Sequence, residues 1–246
     1  MQGEAWRFVD RREAGCELAR RVWARLWWDP ARQDVLVLGA SPGGLVVAAP
    51  VAAAAQAELD VVAVCPVASP DRFAHSIGAV TATGPPVLVR RLLDRSGLPA
   101  AAIDSAVAAA RQRARARERE LRGYVSPSPL AGRTVIVVDD GLGMGVNALA
   151  VVRRVLRHRP AHLMFATPVC AKPCTRALAA LADEVISVVA PPSMVMAGSF
   201  YAHLAPVSDG EVRRLLARTA PERVERIGAK VKRAYLGEPS HKLGIS

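Results

Sequence analysis

Residues 133–147 read RTVIVVDDGLGMGVN, and no other segment constrains the fold as tightly. A β-branched run, Thr134 to Val138, ends in two adjacent carboxylates, Asp139 and Asp140. Glycines then occupy alternate positions (Gly141, Gly143, Gly145), and an alanine- and valine-rich stretch of helical character begins. This order predicts a buried parallel strand, a tight loop with free backbone N–H groups, and a helix N-terminus. Such a loop holds a phosphate through N–H groups and the positive end of the helix dipole. The two carboxylates at the strand end are placed to accept hydrogen bonds from sugar hydroxyls. Phosphate and polyol recognition side by side point to a ribose 5-phosphate site.

The rest of the chain repeats the alternation. Arg11 to Trp28 has helical spacing, with Leu18, Val22 and Leu26 on one face. Asp34–Leu38 is a short buried strand, followed by GASPGG, a helix over about Gly44–Leu59 and a strand over Asp60–Cys65, together a right-handed βαβ unit. Pro66 to Pro86 has no clear period and is expected to be a long loop or hairpin, of the kind that forms lids. A helix over Pro99–Arg122 ends at Ser126-Pro127-Ser128-Pro129. Strand 134–139, helix 146–158, strand 162–167, helix 175–182 and strand 184–189 complete an α/β pattern. It implies a mostly parallel sheet with helices on both faces. Ligands of such sheets bind at the carboxyl ends of the strands, where loops 39–44, 65–80 and 139–147 fall. Ser208–Tyr235 is expected to be helical, capped by Ser208 and Asp209. There is no internal repeat; 1–217 is expected to form the main domain and 218–246 a helical extension with a polar tail.

Composition narrows the function. The 246 residues suffice for a full core. No window reaches the ~18 uninterrupted apolar residues of a membrane span, and the charged N-terminus lacks a signal-peptide core, so a cytoplasmic location is expected. The net charge of +11 favours anionic ligands. Part of it lies in Arg111, Arg113, Arg115, Arg117, Arg119 and Arg122. Spacing of two on a helix spreads these around the axis, and Glu118 and Glu120 interrupt them, so a solvated helix is expected in preference to a nucleic-acid stripe. Four cysteines (Cys16, Cys65, Cys170, Cys174) form no disulfide framework or zinc set, and no metal site is expected. His158 and His162 read as surface residues. Met194, Met196, Phe200 and Tyr201 are divided between packing and contact with a base.

Strand, Asp139-Asp140, glycine loop and helix together resemble the signature of the type I phosphoribosyltransferases. A bacterial branch of that family is also resembled at Phe8-Val9-Asp10-Arg11-Arg12-Glu13-Ala14-Gly15, Leu38-Gly39 with Gly43-Gly44, Ile77-Gly78-Ala79-Val80, and Val207-Ser208-Asp209 with Glu211-Val212. The resemblance spans roughly residues 8 to 217. It implies the type I phosphoribosyltransferase fold, with a hood or lid loop, and a reaction at C1 of 5-phosphoribosyl 1-diphosphate. In it a nitrogen nucleophile displaces magnesium diphosphate through an oxocarbenium-like transition state. By resemblance, Asp139 and Asp140 are the catalytic carboxylates on the ribose hydroxyls. Gly141, Gly143, Met144, Gly145, Val146 and Asn147 cradle the 5′-phosphate, and Ser41, Gly43 and Gly44 face the diphosphate. Arg72 and His75 lie in the lid. Mg2+ enters only with the diphosphate, and a homodimer is expected by analogy.

The branch pattern is not followed throughout. Met144 and Asn147 stand where the family has two threonines, Pro42 where it has an arginine, and Cys65-Pro66 where it has an Arg-Lys pair. Losing two hydroxyl donors costs about 3–6 kcal/mol of phosphate affinity, although loop N–H groups are indifferent to side chains. The alternative function is therefore a catalytically degenerate nucleotide-sensing or partner-binding module of the same fold.

Overall fold

The computed structural model describes residues 8–26, 34–69, 76–123, 126–143, 145–194 and 196–218. Among these, eight strands and seven α-helices alternate in two sheets. Asp10 opens α1 (Arg11–Leu26), its carboxylate accepting from the N–H groups of Arg12 and Glu13. β1 (Val35–Gly39) follows, then α2 (Pro42–Ala55), with Ser41 as N-cap and Pro42 in the first turn, where its missing N–H costs nothing. Helix α2 stops four residues short of the sequence expectation. Gln56 adopts a left-handed conformation (φ 52°), and its N–H closes onto the carbonyls of Ala52 and Ala53.

The strand expected over 60–65 is two strands. β2 (Glu58–Val61) belongs to the main sheet and β3 (Val64–Ala68) to a second one. Between them the Ala63 N–H donates to the buried Glu118 carboxylate, which draws the chain out of the first ladder. β3 pairs antiparallel with β4 (Ser76–Thr81), and β4 with β5 (Val87–Leu88). The segment 66–86 is thus the hairpin form of the two expectations, and the sheet β3-β4-β5 is the hood. Pro66 is tolerated because β3 is an edge strand.

The helix expected over Pro99–Arg122 is α4 (Ala100–Arg122), and a short helix that was not expected, α3 (Arg90–Ser96), ended by Gly97, precedes it. α4 is solvated on one side, where Arg113, Arg115, Arg119 and Glu120 are exposed, and buried on the other. A period-two run on a 3.6-residue helix sorts into rows of i and i+4. Glu118 and Arg122 are buried, and Arg122 binds Asp60 (2.8 Å) and Glu118 (3.1 Å). Glu118 also binds Arg154 of the later helix α5. This cluster ties β2, α4 and α5 together.

β6 (Thr134–Val138), α5 (Val146–Leu156), β7 (His162–Val169), α6 (Lys172–Ala179), β8 (Glu184–Val189) and α7 (Asp209–Arg218) complete the fold. The main sheet is parallel, in the order β2-β1-β6-β7-β8. β6 is buried along its whole length, as its uninterrupted Val/Ile run requires. One core fills the face under α1, α2 and α7, and another the face under α5 and α6. Of the expected helix 208–235, residues 209–218 are described and the remainder lies outside the described residues.

Candidate functional site

In the main sheet the chain runs outward one way from β1 to β2 and the other way from β6 through β7 to β8. The reversal lies between β1 and β6, where open α/β sheets form a crevice at the strands' carboxyl ends. Register pairs Gly39 with Val138, so the loops after both strands emerge together. Ser41 and Asp139 meet there: the Ser41 hydroxyl donates to Asp139 Oδ1 at 3.0 Å and accepts from the Gly44 N–H at 2.8 Å. One hydroxyl therefore caps α2 and holds the first carboxylate.

Asp139 is buried, and Asp140 is half-buried. The Asp140 N–H also donates to Asp139 Oδ1 (3.0 Å). Burial, and then the charge of Asp140, push the Asp139 carboxyl up to about 7. Asp140 Oδ2 accepts from Arg11 Nε at 2.8 Å, and Arg11 is anchored on the Ala205 carbonyl at 2.7 Å. The Tyr201 hydroxyl donates to the Asp140 carbonyl at 2.6 Å, while its ring packs on Phe8. Burial foremost raises the Tyr201 hydroxyl above its ordinary range, so it remains a donor.

Gly43 packs directly under the Asp140–Arg11 pair. A Cβ there would lie 2.1 Å from Asp140 Oδ2 and 2.7 Å from Arg11 Nε. Loop 141–147 is stitched to β7: the Leu142 N–H donates to Val169 O, and the Ala171 N–H to Leu142 O. Gly145 (φ 71°) turns the chain into α5, and a Cβ there would meet Cys174 Sγ at 2.3 Å. No side chain caps α5. The first-turn N–H groups of Val146, Asn147 and Ala148 have no acceptor within a helix, and the loop ending at Gly145 joins them to the end of β6 that carries the carboxylates. Beneath the loop, the Cys174 thiol donates to Cys170, which draws Cys170 down to about 7 and raises Cys174.

The residues singled out from sequence divide as follows. Ser41, Gly43, Gly44, Asp139 and Asp140 share the switch-point crevice, and Gly141, Gly143, Gly145, Val146 and Asn147 form its adjoining loop and helix start. Met144, Arg72 and His75 lie outside the described residues. His158 is exposed, and His162 sits at the opposite end of the sheet between Asp183 and Glu184. Tyr201 and Met194 pack in a small cluster with Phe8, whereas Met196 is exposed. Arg11 and the Ala205 carbonyl were missed as site groups, and Tyr201, weighed between packing and contact with a base, was not expected to bond the Asp140 carbonyl, because these partners are far apart in sequence. Among the described residues no group of three His, Cys, Asp or Glu side chains lies together to hold a metal ion. None of the described helices is long and apolar enough to cross a membrane.

No family profile matches the chain. Two Mycobacterium tuberculosis proteins carrying the provisional name phosphoribosyl transferase, Rv0571c of strain H37Rv and MT0597 of strain CDC 1551, are each 32% identical over 211 residues. The match takes in 86% of this chain and 46% of theirs, so the chain spans about half the length of these curated relatives. The crystal structure of TT1426 from Thermus thermophilus is 32% identical, with a TM-score of 0.71 over 87% of this chain and 99% of that one. A parallel α/β sheet with a phosphate-type loop at its switch point and a hood above defines the class. The chain belongs to the type I phosphoribosyltransferase family.

Proposed function

We propose that this chain binds a ligand containing ribose 5-phosphate, either 5-phosphoribosyl 1-diphosphate or a nucleotide, at loop 139–147, and transfers the ribosyl group at C1 when the diphosphate is bound. The carrying observation is the uncapped start of α5 beside the Asp139–Asp140 pair at the switch point. The N–H groups of the first turn of α5 bind the 5′-phosphate, so Asn147 and Val146 contribute through their backbone. Asp140, held in place by Arg11 and Tyr201, accepts from a ribose hydroxyl. Asp139, deeper, keeps Ser41 and the Asp140 backbone in position.

At C1 a nitrogen nucleophile forms the new C–N bond as the C–O bond to diphosphate breaks, the pair of electrons leaving with the diphosphate. Positive charge develops on the ribose ring, and the neighbouring Asp140 carboxylate stabilises it. Among the described residues no group of three His, Cys, Asp or Glu side chains gathers at the two carboxylates to hold a metal ion by itself. Magnesium belongs in this proposal only as the counter-ion carried by the diphosphate. The protein is taken to act as a homodimer, which sedimentation checks.

A second reading, a nucleotide-sensing or partner-binding module without turnover, is favoured by the diphosphate side. Pro42 has no N–H, and the Ser41 hydroxyl is committed to Asp139 and Gly44. Calorimetric titration with 5-phosphoribosyl 1-diphosphate, with and without magnesium, separates the two, with ribose 5-phosphate and AMP as comparisons. Tighter binding of the diphosphate in magnesium supports transfer; equal binding of ribose 5-phosphate or AMP supports the module; no binding of any overturns both.

A further inference from the structure

Helix α4 carries six arginines between positions 111 and 122, and the structure gives carboxylate partners to two of them. Arg117 is gripped by Asp209 through two 2.6 Å bonds, and Arg122 by Asp60 and Glu118. Among the described residues the other four donate only to main-chain carbonyls: Arg111 to Gly84, Arg113 to Pro66, Arg115 to Ala82 and Arg119 to Arg115. Burial, reinforced by the like charge of Arg115, lowers the Arg111 guanidinium below its ordinary range. The hood is thus pinned to α4 by cations that have no counter-charge of their own.

Two of those cations face an open volume. Arg115 and Arg119, one helical turn apart, line a cleft of about 480 Å3 together with Ala82, Glu118, Arg122 and Pro127. This volume lies within the ~300–1,000 Å3 typical of small-molecule sites. The Glu118 carboxylate adds no free negative charge, because Arg122 and Arg154 both bind it. Arg115 and Arg119 each use Nε on a carbonyl, so the two terminal NH2 groups of each remain for a ligand. A guanidinium fork of that kind matches the oxygens of a phosphoryl group. Two uncompensated cations match the charge of one phosphate monoester, about −1.5 to −2 at neutral pH.

We infer that this cleft is a second anion site, separate from the α5 loop, which takes the phosphoryl group of a small phosphate-bearing molecule between α4 and the hood. A nucleic-acid backbone is the less suited occupant, since it calls for a long row of cations instead of a pair. Because Ala82 follows β4, an anion here bridges the hood to the helix that holds it.

The test is NMR of the arginine Nε–Hε groups in the full chain, titrated with inorganic phosphate and then with diphosphate. Single variants Arg115→Gln and Arg119→Gln assign the two signals. Saturable shifts of both signals are expected, as is an affinity at least about tenfold weaker in the double variant R115Q/R119Q, read there from the backbone amides of Ala82 and Gly123, which line the same cleft. The charge-matched double variant R91Q/R95Q, on the exposed face of α3, should bind as the parent does. Still signals at roughly millimolar diphosphate, or an equal loss in the charge-matched control, overturn the inference. So does a single-stranded oligonucleotide that shifts the signals where phosphate and diphosphate do not. Signals of the α5 loop amides report the first site independently.

Discussion

Replacing Asp139 by Asn should make the protein more stable at alkaline pH and flatten its pH profile. Asp139 is buried, and its folded-state carboxyl is raised from 3.8 to about 7 by burial and by Asp140. For an acid raised in this way, the contribution is fully present below the unfolded value and is lost as pH rises through the folded one. Between pH 5 and 7 the folded state keeps a proton that the unfolded chain has released, so stability falls with pH. At about 1.36 kcal/mol per unit, two units remove about 3 kcal/mol, with little further change by pH 8. Asparagine removes the charge yet its Oδ1 still accepts from Ser41 Oγ and the Asp140 N–H, the two bonds that Asp139 Oδ1 makes. The assay is urea unfolding followed by tryptophan fluorescence at pH 5 and pH 8. Groups remote from position 139 titrate alike in both proteins, so the difference between the two pH differences reports Asp139 together with its coupling to Asp140. Parallel pH profiles for parent and variant would refute the reasoning, because they would mean that Asp139 is ionised without penalty in the fold.

Glu118→Ala should cost about 3–5 kcal/mol in the same urea assay, since it strands Arg154 as a buried charge and leaves Arg122 with Asp60 alone. Gly43→Ala should weaken ribose 5-phosphate binding in calorimetry by about tenfold, with melting little changed, because the new methyl displaces Asp140 from Arg11. Tyr201→Phe should lower stability by about 1 kcal/mol through the lost bond to the Asp140 carbonyl, measured by denaturant midpoint.

The α/β layering and the phosphate-type loop were legible in the one-dimensional pattern. A five-residue Val/Ile strand followed by Asp-Asp and spaced glycines has few other structural solutions, because each part is set by local backbone and burial preferences. The capping of α2 by Ser41 was likewise local in origin. The arginine run was not legible in this way. Whether Arg115 and Arg122 face solvent, a carbonyl or a carboxylate depends on the hood and on Asp60, which the chain brings to α4 from 62 residues away for the Arg122 pair.

The sequence by itself determined the alternating strands and helices of the main sheet, though not the break between β2 and β3, the strands β4 and β5 or helix α3, and that a phosphate-type loop follows β6. Hydrophobic period, glycine placement and helix start signals act over a few residues, and those are enough. Only the tertiary structure decided that Arg11 and Tyr201 hold Asp140, and that Ser41 reaches Asp139. It also decided that Glu118 turns the chain out of the sheet at Ala63. The physical reason is that charge and hydrogen-bond partners are chosen by distance in space, and the parallel sheet brings together at one edge residues that lie about 60 to 130 positions apart in the chain.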